Sequence, residues 1–184
     1  MPNVFTGTRS KTVVSFGRFE EQKNYKMLIE AFAEFLKKHN DYKLVLYGKG
    51  SLETELKKRV TELGINKKVD FAGFCPNVHE CILNAAMFVL PSNYEGLSNS
   101  MLEAMAIGLP VICTDCPPGG AREYITNKVN GILVPVGNVH KTCEAMCYMA
   151  EYEDEANKMG KQASELREKL SSNTVCKLWE QVLE

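Results

Sequence analysis

The chain has 184 residues, 22 basic and 23 acidic side chains for a formal net charge of −1, with 45% hydrophobic and 24% charged residues. That length and balance describe one globular domain and exclude two full domains, disorder, collagen and a fibrous coiled coil. Near-neutrality also excludes an electrostatic footprint for duplex nucleic acid or an anionic membrane, so any phosphate must be held locally.

In chain order, Pro2–Lys11, with Gly7, Thr8 and Ser10, reads as a linker ahead of a first strand at Thr12–Phe16. A helix is expected over Tyr25–His39, where Leu28, Ile29, Phe32, Phe35 and Leu36 form one stripe, Glu30, Glu34, Lys37 and Lys38 the other, and Asn24 can cap the start. Strand Lys43–Tyr47 leads to a second helix, Leu52–Leu63, with Leu52, Leu56, Val60 and Leu63 on its inner stripe and Gly64 as its stop. Strands follow at Val69–Ala72, Met87–Leu90, Pro110–Cys113 and Gly131–Val134, and a third helix, Ser98–Ile107, is apolar apart from Glu103 and therefore buried. After Pro135 come three helical stripes: Val139/Cys143/Met146/Cys147/Ala150, Ala156/Met159/Ala163/Leu166/Leu170 and Val175/Leu178/Trp179/Val182.

Strands alternating with amphipathic helices predict βαβ units in an α/β, Rossmann-like, doubly wound parallel sheet of about six strands with a helical C-terminal tail. No apolar run approaches the about 18 residues that span a bilayer, and the first residues lack a signal-peptide layout, so a soluble, cytoplasmic protein is expected. Seven cysteines at irregular positions argue for reduced thiols, mostly small core residues.

Ligands of an open parallel sheet bind beyond the carboxyl ends of its strands. The segments there are polar and glycine-rich: Gly17–Asn24, Gly48–Gly50, Gly73–Pro76, Pro91–Ser98 and Thr114–Gly120. Arg18 and Lys23 can share a diphosphate, one as a fixed fork and the other as a mobile point charge. Glu95 precedes a helix start and Glu103 lies inside the helix, with free amides of Leu97, Ser98 and Asn99 between them as an anion site. Glu95 can then accept from sugar hydroxyls and Glu103 from a ribose diol, since a lone carboxylate in MLEAMAIG is costly to bury without donors.

Three other readings compete. Gly48-x-Gly50 after a strand, with Asp70 22 residues further on, has the layout of an NAD fingerprint, but Glu53 stands where the third glycine belongs. Glu95 and Glu103 could form a glycosidase pair, and an interaction domain could keep the fold without catalysis. Cys113-x2-Cys116 lacks a second pair at metal-ligand spacing, so core packing for Cys113 and a loop thiol for Cys116 is expected. His39, His79 and His140, at helix ends, read as exposed or capping, and Glu123 as the opening of a short helix.

The segments VSFGRFEEQKNYKMLIEAF, LVLYGKGSLETEL, VDFAGF, VLPSNYEGLSNSMLEAMAIGLPVICTDCPPGGAREYI and NGILVP together resemble the C-terminal, donor-binding half of retaining GT-B glycosyltransferases of family 4, of the bacterial polysaccharide-biosynthesis type. The resemblance runs from about Thr12 to Val136 and assigns 12–184 to one nucleotide-sugar-binding domain, with 1–11 as the remnant of an interdomain connection. It implies that Arg18 and Lys23 hold the donor diphosphate, Glu95 contacts the donor sugar and Glu103 the ribose. It also implies that Gly96, Leu97 and Ser98 bind sugar and phosphate oxygens by their amides, that the segment with Phe74 brackets the base, and that Gly17 allows close approach to the phosphates. The donor implied is a UDP-sugar, bound without a metal or cofactor, in keeping with the absence of Asp-x-Asp. The acceptor, a glycan or lipid-linked glycan, would be held by an N-terminal domain that this chain lacks, so the chain is expected to bind donor but not to transfer sugar alone. A full-length enzyme would be cytoplasmic and peripheral at the inner membrane face.

Overall fold

The computed structural model describes Phe5 and residues 7–183. Strands β1 (Ser10–Phe16), β2 (Lys43–Tyr47), β3 (Val69–Gly73), β4 (Ala85–Leu90), β5 (Val111–Thr114) and β6 (Ile132–Val134) form one sheet in the order β3-β2-β1-β4-β5-β6. Every neighbouring pair is parallel. The expected doubly wound sheet is therefore present, and each expected strand lies within two residues of its observed position.

Helices α1 (Tyr25–Phe35), α2 (Glu53–Glu62) and α5 (Val139–Glu151) cover one face; α3 (Val78–Ile82), α4 (Asn99–Ala106) and α7 (Leu166–Lys169) cover the other, and α6 (Glu153–Ala163) contributes to both. Alternation within the strands divides their side chains between two cores. Val13, Leu44, Leu46, Val89 and Ile112 enter the first, and Val14, Phe88, Leu90, Val111 and Cys113 the second. Leu28, Ile29, Phe32 and Phe35 of α1 are fully buried in the first core, each contributing about 1.5–3 kcal/mol by removal from water. Helix α4 buries Met101, Ala104, Met105 and Ala106 as its apolar sequence requires, and Gly108, at φ 76°, ends it.

Several boundaries differ from expectation. Helix α1 closes four residues early because amides of Lys38 and His39 both turn back to the Phe35 carbonyl, tightening the last turn. Residues 9–11 belong to the domain and not to a linker: Ser10 and Lys11 lie in β1, and Arg9 donates to the carbonyls of Ala85 (3.0 Å) and Gly108 (2.7 Å) and to Asn157 Oδ1 (2.7 Å). Burial against these groups lowers the Arg9 pKa to about 10. The rest of the proposed linker, apart from Phe5, Gly7 and Thr8, lies outside the described residues. Short α3 starts one residue before His79, where a helix was expected to begin, and Glu123 sits in a hydrogen-bonded turn, not a helix. In α8 (Ser172–Leu183) Val175 is half-buried and Trp179 exposed, while the side chains of Leu178 and Val182 lie outside the described residues.

Candidate functional site

Strand order reverses between β1 and β4, so the loops leaving their carboxyl ends run in opposite directions and open a crevice. Across it Lys23, on a single 3-10 turn (Glu21–Lys23), forms an ion pair with Glu95. Both are largely buried, at 13% and 15% side-chain exposure, so water screens the pair little. Ser92 Oγ (3.3 Å) and Gln22 Nε2 (3.5 Å) also donate to the Glu95 carboxylate.

Backbone contacts hold the two loops in register. The Asn93 amide donates to Gln22 O (2.8 Å), Asn93 Nδ2 to Glu21 O (2.9 Å), and Asn24 Nδ2 to Asn93 Oδ1 (2.8 Å). Asn24 also caps α1 through Met27 N, from a left-handed backbone at φ 44° that asparagine tolerates better than most residues. Beneath them, buried Thr114 donates to Ser92 O at 2.6 Å, fixing the loop after β4 to β5. On the far side the Glu95 amide donates to Pro117 O (2.9 Å), and a Cβ at Gly120 would lie 1.9 Å from Gly96 O. Only glycine admits that approach.

Next to the ion pair, a cleft of about 460 Å³ lies over the ends of β1, β2 and β3, lined by Phe16, Gly17, Arg18, Tyr47, Gly48, Lys49, Phe74, Cys75 and Val78. Its walls are apolar and aromatic while Arg18 and Lys49 supply positive charge, and no acidic side chain lines it. Phe74 is 75% exposed, a large ring presented to solvent at the mouth. Gly17 takes a positive φ of 153°, and its missing side chain leaves room for Tyr25 Oη and Lys23 Cε, 3.2 and 3.4 Å from where a Cβ would be. Burial pushes the Tyr25 phenol up, keeping it protonated beside Ser15.

Sequence reasoning thus named residues that the fold gathers at one edge: Gly17, Arg18 and Phe74 in the cleft, Lys23 and Glu95 beside it, and Gly96, Leu97 and Ser98 entering α4. The unpaired amides are those of Ser98–Met101, because α4 starts at Asn99 and Leu102 N returns to Ser98 O. No side chain caps this end; Ser98 Oγ hydrogen-bonds to Ser100 Oγ instead.

Glu103 is different. It does not line the cleft but sits one turn into α4, with Oε2 3.1 Å from His79 Nε2 of α3, and contributes to a second groove with Leu166, Arg167 and Leu170. At 31% exposure, with a histidine beside it, this carboxylate needs no ligand to account for its position, which removes the burial argument made from MLEAMAIG. Val78, the residue before His79, lines the cleft.

Lys49, Tyr47, Gln22 and Asn93 were missed as site residues. Lys49 carried a signal, being a cation between two glycines after a strand; the others depend on partners far away in sequence. Gly48 and Gly50 serve packing: a Cβ at Gly48 would lie 1.9 Å from Gly17 O and one at Gly50 2.3 Å from Phe19 O, which accounts for both without a dinucleotide. Cys116 lies in the loop after β5 as expected but is buried at 2% exposure, and burial pushes the thiols of Cys113 and Cys116 up. Among the described residues no helix is long and apolar enough to cross a membrane.

Comparison with known proteins agrees with this architecture. The sequence profile of the glycosyl transferases group 1 family matches residues 3–166. A Campylobacter jejuni N-acetylgalactosamine-N,N'-diacetylbacillosaminyl-diphospho-undecaprenol 4-alpha-N-acetylgalactosaminyltransferase is 34% identical over 161 residues, 88% of this chain and 43% of that protein. A solved mutant of S. aureus TarM, in complex with fondaparinux, alpha-GlcNAc-glycerol and UDP, superposes with a TM-score of 0.90 at 26% identity, covering 98% of this chain and 37% of TarM. The solved C-terminal domain of a glycosyl transferase group 1 protein (LpcC) from Francisella tularensis, at 24% identity and a TM-score of 0.78, shares the fold over 89% of this chain and 87% of its own length. The chain therefore spans less than half of the first two proteins.

Proposed function

The chain belongs to the glycosyl transferases group 1 family, and on that premise we propose that it is the donor-binding half of a retaining glycosyltransferase that uses a UDP-sugar. The observation that carries this reading is the juxtaposition at the switch point of an apolar, cation-rimmed cleft with a buried Lys23–Glu95 pair. A flat base needs an aromatic wall, a diphosphate needs cations and free amides, and a sugar needs hydrogen-bonding carboxylates; these groups lie here in that order.

In this reading Phe74 covers the base, Arg18, Lys23 and the first amides of α4 hold the diphosphate, and Glu95 accepts from the donor sugar. Glu103, beside the Val78–His79 wall, accepts from the ribose. Departure of UDP places negative charge on the diphosphate, and fixed cations and amides aimed at it lower that barrier. Lys23 is held by Glu95 in advance, so it needs little reorganisation to meet the phosphate. In this reading donor binding is metal-independent, because Arg18, Lys23 and the first amides of α4 supply the positive charge that a bridging Mg2+ would otherwise bring to the diphosphate.

UDP is favoured over other nucleotides because the TarM neighbour, above a quarter identical, was solved with it. Retention is favoured because UDP-sugars are commonly α-linked and the Campylobacter relative's name specifies an alpha product. That relative's diphospho-undecaprenol acceptor supports a lipid-linked or polysaccharide acceptor, with the longer enzyme cytoplasmic at the inner membrane face. A second domain, joined through the residues before β1, would supply the acceptor site.

Calorimetric titration of the chain with UDP, GDP and NAD tests the proposal. UDP should bind tightest, unaffected by EDTA. Tighter binding of NAD would overturn the donor reading, and binding of none would favour an interaction domain that has kept the fold.

A further inference from the structure

We propose that the seam between the C-terminal ends of α1 and α5 is a structural site for a zinc-type divalent cation, held by His39 Nε2, the Cys147 thiolate and the Glu151 carboxylate, with Cys143 as fourth ligand. Donor atoms of His39, Cys147 and Glu151 lie within 4.8 Å of one another. His39 Nε2 and Glu151 Oε1 are 3.4 Å apart. Two nitrogen or oxygen ligands at about 2.0–2.1 Å from a tetrahedral cation are about 3.3 Å apart, so this edge of the shell already has its length.

Cys143, Cys147 and Glu151 recur every fourth residue and so project from one face of α5. Cys143 lies one turn before Cys147 on that face, half-buried, so the fourth ligand comes from the same helix. His39 is oriented independently: its ring stacks on Phe35 (4.7 Å, 23°) and meets Tyr42 edge-on (6.0 Å, 79°). Its Nε2 is shut off from solvent yet makes no aligned hydrogen bond, Glu151 notwithstanding. A buried polar atom in that state is costly, and a cation bound to it removes the cost.

The electrostatics agree. Glu151 is the last residue of α5, and α1 closes in the turn that ends at His39, so the negative ends of two helix dipoles face one point. A 2+ ion with two thiolates and one carboxylate leaves one surplus negative charge, and Lys38 lies near enough to act on both thiols. Sulfur and imidazole donors select zinc-like ions over magnesium or calcium. Because α1 and α5 both start at the carboxyl ends of strands and run back to the opposite edge, the site is remote from the donor cleft. Its role is to clamp α1, which carries Asn24 and follows Lys23, against α5.

Cobalt(II), titrated into the reduced, metal-free chain, tests the site. Cys75→Ser and Cys81→Ser form the background, because those two sulfurs lie 2.9 Å apart and could chelate cobalt themselves. One equivalent should produce a thiolate-to-cobalt charge-transfer band with tetrahedral d–d bands, displaced by zinc, and zinc should raise Tm while leaving UDP affinity unchanged. Cys143→Ser with Cys147→Ser should remove the band, and His39→Gln and Glu151→Gln should each weaken cobalt binding by roughly tenfold or more. No band in the parent chain overturns the proposal, as does a band whose affinity survives both His39→Gln and Glu151→Gln. Should the histidine variant fail to fold, Glu151→Gln, at a half-exposed side chain, decides alone.

Discussion

Lys23 and Glu95 are separated by 72 residues, yet each is the other's main partner. Arg18, in contrast, is exposed and in no ion pair among the described residues. The two cations should therefore behave differently. Arg18→Ala is expected to weaken UDP binding about tenfold with Tm unchanged, whereas Lys23→Ala should weaken UDP binding and lower Tm, because it strands a mostly buried carboxylate. Calorimetry and thermal melts on the same samples separate these outcomes; equal Tm values would show that the ion pair is merely solvated. Gly120→Ala drives a Cβ into Gly96 O and should cost about 1–3 kcal/mol in urea unfolding while displacing the Glu95 loop. At this scale the residue types were legible, since cations, acids and glycines after strands carry a signal on their own. Their pairings were not: nothing in the sequence places Glu103 beside His79, or Lys23 against Glu95.

Among the elements, α1 links core to site. Phe32 is fully buried, and Phe32→Ala should cost about 3–5 kcal/mol, read as a drop in the urea midpoint at constant m. Asn24→Ala removes both the cap on Met27 N and the bond to Asn93, so a loss of about 1 kcal/mol should accompany weaker UDP binding. A stability loss with unchanged affinity would confine Asn24 to capping. The long helices and all strands were legible because their periods and stops repeat over many residues. Helix α3, at five residues, has too few turns to show a period, so only its start near His79 was legible, and the last turn of α1 tightened where successive amides share the Phe35 carbonyl.

For the molecule as a whole, the spanned fraction of its relatives leads to one expectation: the chain should bind UDP yet release no sugar to a lipid-linked acceptor until joined to an acceptor-binding half. Transfer by the chain alone, in a radiolabelled-sugar assay, would refute the division of labour. By itself the sequence determined the alternation of strand and helix, and hence the sheet and the edge at which polar loops gather, because hydrophobic period and helix stops are local properties. It also determined which chemistries could be present, since residue types are read directly. Only the tertiary structure decided that Lys23 neutralises Glu95, that Glu103 turns to His79, that Arg9 docks beneath the sheet and that His39 meets Cys147 and Glu151. Each joins residues whose distance depends on strand order and helix crossing, and no local pattern in a chain encodes the separation of two side chains across a crevice.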